Sequence, residues 1–158
     1  MASYIASARS NYFEVTNPKR FEKLCKKWHL TLTSMYTEDA ECFVSNGIIT
    51  PDIPNHKVLY GFICEWDAGG LPSYIYIDDP DNEEKEIELD FDNFIEELTP
   101  LIMPGYVVIM MEAGAENYRY MTGIAVALNS KGDTKTVCLS DIYEKAKSLG
   151  TTITDASY

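Results

Sequence analysis

The residues in this chain best suited to chemistry are carboxylates, and they are concentrated. Between Glu65 and Glu97 there are 13 acidic residues against one cation, Lys85, which is about half of the chain's 25 carboxylates. One chemistry for such a run is calcium binding. Asp79, Asp81 and Glu83 alternate as an EF-hand loop requires, but Glu84 stands where the loop needs glycine and Asp90 where it needs a bidentate glutamate, so the pattern fails. A second is acid–base work by a carboxylate pair drawn from Glu65, Asp67, Glu112 and Glu116, although nothing in their spacing brings them together. A third is electrostatic docking. Duplex DNA carries one charge per about 1.7 Å, and a dense acidic surface imitates a short length of that field toward a protein whose groove is basic. The alternative for the same run is a solvated segment that keeps a strand edge from pairing with other chains.

Other nucleophiles and ligands are sparse. Cys25, Cys42, Cys64 and Cys138 form no CxxC pair, and neither His29 nor His56 has a Cys or His at ligand spacing. Neither a zinc site nor a thioredoxin-like motif is supported. Cys25, Cys42 and Cys64 fall on apolar faces, where a thiol is inert packing. Gly69-Gly70 and Gly114 lack the lysine and spacing of a phosphate loop. No metal or cofactor is expected. The chain is rich in tyrosine, with 11, and Tyr74 and Tyr76 share a strand face beside the acidic run. Tyrosine offers amphipathic contact area at low entropic cost. The candidate partner-binding surface is therefore Tyr74, Tyr76, Asp78, Asp79, Asp81, Glu83, Glu84, Glu86 and Glu88.

These residues need a scaffold, and 158 residues of 46% apolar composition suffice for one core. We expect one α+β domain over residues 1–150 and a flexible C-terminal tail over 151–158. The formal charge of −12 repels nucleic acid and anionic lipid and favours basic partners. MASYIASARSNYF has neither a basic segment nor a long apolar stretch, and no apolar run reaches the roughly 20 residues of a membrane span, so a cytoplasmic protein is expected.

Along the chain, Ser3–Ala8 reads as a strand. Asn17-Pro18 starts a helix whose apolar face is Phe21, Leu24, Cys25 and Trp28 and whose other face carries Lys19, Arg20, Lys23, Lys26 and Lys27. Strands are expected at Leu30–Tyr36, Glu41–Ile49, Val58–Trp66 and Tyr74–Ile77, with proline-marked loops between. Asp78–Glu86 holds no apolar residue and reads as an exposed loop. Ile87–Phe91 leads into a helix from Asn93 capped by Asp92. Tyr106–Met111 is a central strand, Glu112–Asn117 a turn, Tyr118–Asn129 a strand with a candidate bulge at Gly123, and Thr134–Leu139 a further strand. Ser140 caps a last helix, Asp141–Leu149, with Ile142, Tyr143, Ala146 and Leu149 as its apolar face. This order predicts an antiparallel sheet with about three helices packed on it, ferredoxin-like in part.

Two stretches, ARSNYFEV and MEAGAENYRYMTGIAVALNS with the following TVCLSDIYEKAKSLG, resemble small acidic proteins carried by phages, plasmids and conjugative elements. That resemblance implies a mobile-element setting, in which such proteins often inhibit host defence, but it supplies no catalytic residues. The expected function is a non-enzymatic acidic binding protein, of the kind that inhibits a CRISPR or restriction complex by occupying a basic surface. The alternatives are a small enzyme with a Glu/Tyr-lined pocket and a structural subunit in which the Lys19–Lys27 helix meets the acidic stretch of another copy. Direct nucleic-acid binding is disfavoured by the sign of the charge.

Overall fold

Asn17 opens the first helix as its chemistry dictates. Its Oδ1 accepts the Arg20 amide at 3.0 Å, and Pro18 occupies the first helical position, where no N–H is needed. In the computed structural model, which describes residues 4–38, 41–46, 57–64, 70–79, 82–116, 120–149 and 152–154, this helix follows one strand and precedes several. The elements are β1 (Tyr4–Ser10), α1 (Pro18–Lys27), β2 (Thr31–Glu38), β3 (Glu41–Asn46), β4 (Lys57–Cys64), β5 (Tyr74–Asp79), β6 (Asn82–Asp90), α2 (Phe91–Leu98), β7 (Val107–Glu116), β8 (Tyr120–Asn129), β9 (Thr134–Cys138) and α3 (Asp141–Ala146). The sequence readings that fall on residues 39–40, 47–56, 65–69, 80–81 and 117–119 lie outside the described residues. Of the expected tail, only residues 152–154 are described, and they are exposed.

The class is α+β, as expected: among the described residues there are three α-helices and an antiparallel seven-stranded sheet ordered β3-β2-β4-β1-β7-β8-β9, with β5 and β6 paired separately. β1 and β2 run parallel with β4 between them, and β4 and β7 run parallel with β1 between them. α1 fills the first crossover and α2 lies in the second. Crossovers of the usual hand place both helices on one face. Trp28 and Phe94 show that they share it, meeting edge to face with ring centroids 5.2 Å apart, while Phe94 also meets Phe62 of β4 at 5.8 Å. The core lies between these helices and the sheet. Phe13, Phe21, Phe62, Phe94, Leu98, Ile102, Met110 and Leu128 are all fully buried there. At the end of α1, His29 takes a left-handed φ of 53°, and the Leu30 amide reaches the Cys25 carbonyl at 2.8 Å, which closes the helix without a glycine.

Several sequence expectations are corrected. Asp78–Glu86 is not a loop: Asp78 and Asp79 end β5, and Asn82–Glu86 begin β6. Pairing of Asp78 with Glu86 and of Asp79 with Asn82, with a register shift between them, joins the two strands although the segment has no apolar residue. α2 begins at Phe91, two residues before the expected start. Its cap is Asp90 rather than Asp92, because Asp90 and Asn93 satisfy one another's amides at 3.1 and 2.9 Å. Glu112–Asn117 is no turn over its described part, since β7 runs to Glu116 and is paired on both sides, by β1 and β8. Gly123 sits opposite Ala113 in unbroken register, so it makes no bulge. Ser140 gives no side-chain cap, and Asp141 instead accepts the Cys138 amide at 2.8 Å. α3 stops at Ala146 and buries no residue, so two helices, not three, cover the core.

Candidate functional site

Alternation along β5 and β6 builds the acidic surface. Ile75 is buried in the core, and Ile77, Leu89 and the following Phe91 pack against it. The intervening residues must then face outward, since successive strand side chains point to opposite faces. The register places Tyr74 opposite Asp90, Tyr76 opposite Glu88 and Asp78 opposite Glu86, and all six are exposed. Tyr74 and Tyr76 stand edge to face, 5.7 Å between centroids, and each is more than half exposed, at 55% and 54%. The Tyr76 hydroxyl donates to Glu88 Oε2 at 2.8 Å, and this bond to the carboxylate holds the phenol above its ordinary pKa.

Of the nine residues proposed from sequence, the structure therefore gathers Tyr74, Tyr76, Asp78, Glu86 and Glu88 on one outward face. Asp79, Glu83 and Glu84 belong to the same two strands by backbone, and Asp81 lies outside the described residues. Asp90, which the sequence reading did not include, completes the row at its helix end, where it also caps α2.

The other candidates for chemistry take structural places. Glu112 accepts the Leu71 amide at 2.7 Å, and its carboxylate lies 3.1 Å from where a Cβ on residue 70 would stand, so it ties down the chain entering β5 and packs closely on Gly70. Glu65 and Asp67 lie outside the described residues. Cys25 and Cys64 are buried, and burial first of all pushes both thiols up to about 12, so they are protonated and unreactive at neutral pH. Among the described residues, no group of three His, Cys, Asp or Glu side chains is placed to hold a metal ion. Among them also, no helix is long and apolar enough to cross a membrane.

Sequence reasoning missed a second surface. The sheet face opposite α1 and α2 exposes Ile5, Val107, Ile109, Met111, Met121 and Val137. β7 is central, as expected, yet only its Val108 and Met110 are fully buried, while Val107, Ile109 and Met111 are 45%, 41% and 53% exposed. The available signal was the absence of alternation in YVVIMM: in an antiparallel sheet covered on one side, an unbroken apolar run leaves half its side chains in solvent. α3 stands over part of this face. Between them lies an open groove of about 700 Å³, bordered by Arg9, Met111, Ala125, Leu139, Ile142 and Lys145.

The chain matches no protein-family model, no curated protein and no solved structure.

Proposed function

We propose that this is a non-enzymatic binding protein whose β5–β6 hairpin engages a basic protein surface. The observation that carries the reading is the outward row of the hairpin, where carboxylates and two exposed tyrosines share one core-anchored face and Asp78 sits directly opposite Glu86. Like charges on such a rung oppose strand pairing by about 0.2–1 kcal/mol, so the Asp78–Glu86 rung is not arranged for the hairpin's own stability. Tyrosines beside carboxylates supply contact area next to charge, the combination that suits the rim of a basic groove. In the mobile-element setting that the resemblance implies, the partner is a nucleic-acid-binding defence protein and the protein acts as an anti-CRISPR or anti-restriction inhibitor.

We also read β2, β4, β1 and β7 with α1 and α2 as a ferredoxin-like unit. The order β7-β1-β4-β2, with a helix in each crossover, supports it. The hairpin is then an insertion between the third strand and the second helix of that unit.

The test is capture of host proteins by the intact chain and by the triple variant Asp78→Lys, Glu86→Lys, Glu88→Lys, at low and high salt. The wild type is expected to hold a basic partner that salt releases, and the variant to lose at least about tenfold of it. Equal capture by both would refute the reading.

A further inference from the structure

Where α3 stands over the sheet, the floor beneath it is built of small residues. Ser7 pairs with Ala113 and Ala113 with Gly123, and on the next outward rung Met111 pairs with Ala125. Short side chains leave a hollow there, and α3 does not fill it. The helix buries no residue, and Met111, Leu139 and Ile142 at the edge of the hollow are each more than half exposed. The result is the groove of about 700 Å³. Ligand sites typically measure about 300–1,000 Å³ and are mainly apolar with a few polar groups. The charged groups at this border are unusual for the chain. Arg9 and Lys145 are exposed there, and among the described residues neither forms an ion pair, although carboxylates outnumber cations 25 to 13. The two carboxylates of the border each accept a backbone amide. Asp141 takes that of Cys138 at 2.8 Å. Glu112 stands on the rung of buried Ala8, on the core side of the sheet, and takes that of Leu71 at 2.7 Å.

We propose that this groove binds a small amphipathic anion, an aliphatic carboxylate whose chain lies between the sheet and α3 and whose head meets Arg9 and Lys145. The lining selects the body of the ligand. A chain of methylene groups needs no hydrogen-bond partner and gains from burial against Met111, Leu139 and Ile142. A nucleotide or a sugar would carry many polar groups against walls that offer few partners for them. The border selects the head. With Glu112 on the core side, Arg9 and Lys145 outweigh Asp141, so the local charge is positive. Arg9 also keeps donors for a carboxylate. Among the described residues only its Nε is engaged, by the Ser10 carbonyl at 3.4 Å, while the guanidinium faces the Tyr12 ring at 5.9 Å. The net charge of −12 repels an anion at long range, but salt at about 0.15 M screens that field beyond about 8 Å. No residue of the β5–β6 hairpin borders the groove, so the two surfaces act separately.

Calorimetric titration of the full chain with decanoate, and with decyltrimethylammonium as its cationic counterpart, tests this. The wild type takes up decanoate at a single saturable site and binds the cationic chain at least about tenfold more weakly. Lys145→Glu, on the exposed side of α3, loses at least about tenfold in affinity for decanoate. Gly123→Leu fills the floor and abolishes binding of both chains. A Cβ there meets its nearest neighbours, the Glu112 carbonyl and Leu139 Cβ, at 3.5 and 3.6 Å, which is ordinary contact. Should circular dichroism show Gly123→Leu unfolded, Ile142→Glu at a 56% exposed position replaces it, with the same loss of decanoate expected. A wild-type chain without saturable decanoate binding overturns the proposal. So does equal affinity for the two chains, which would mark a merely apolar surface, or decanoate binding that the variants leave intact, which would place the ligand elsewhere.

Discussion

The β5–β6 hairpin and the open face of the main sheet are both exposed β-structure, yet they were built by different rules. In the hairpin, each strand alternates, with Ile75, Ile77 and Leu89 turned inward and Tyr76, Glu86 and Glu88 outward. Its outside is charge and phenol. In β7 the alternation fails: Val108 and Met110 fill the core, while Val107, Ile109 and Met111 stand in solvent. One surface concentrates carboxylates, while the described outward strand positions of the other carry none. The contrast teaches that net charge here is a spatial arrangement rather than an average. Exposed carboxylates lie on one side of the core, and exposed apolar side chains on the other.

The strongest way to break this contrast is to remove the ring that joins its two halves. Phe94 is fully buried and touches Trp28 of the α1 end, Phe62 of the sheet and Phe91 beside the hairpin. Phe94→Ala should cost about 3–5 kcal/mol in urea unfolding and uncouple hairpin from sheet. Burial of the two thiols gives a second handle. Cys25 and Cys64, ordinarily near 9, are raised to about 12, so the folded state holds their protons more tightly than the unfolded chain. Their contribution is complete below pH 9 and is lost as pH rises from 9 through 12, by an amount on the order of a few kcal/mol. A denaturant midpoint that stays level across that range would contradict it. The smallest change sharpens the contrast most. Asp78→Lys turns the like-charged rung with Glu86 into an attractive one, so the hairpin should gain about 0.2–1 kcal/mol while capture of a basic partner falls. Thermal melting and capture measured on that single variant separate stability from binding.

Much of the fold was legible because its signals are local. Asn17-Pro18 announces α1 by side-chain chemistry, and the 3–4 spacing of Phe21, Leu24 and Cys25 identifies the buried face. The acidic surface was legible as composition, with Tyr74, Tyr76, Asp78, Glu86 and Glu88 all named from sequence and all found on one face. What failed was conformation where the partner is distant in sequence. Asp78–Glu86 has the composition of a loop and lies mainly in strands, because the ladder does not depend on apolar side chains. Glu112–Glu116 has the composition of a turn and stays extended, because β1 and β8 hold it from both sides. α3 has a helical apolar spacing with no core to receive it.

The sequence by itself determined the amount and clustering of charge, the start of α1 and the α+β class, since each depends on residues within a few positions of one another. The tertiary structure alone decided which face of each strand meets water. That choice follows from where α1 and α2 cross the sheet, and from it come both the acidic row on the hairpin and the exposed apolar side chains of β7.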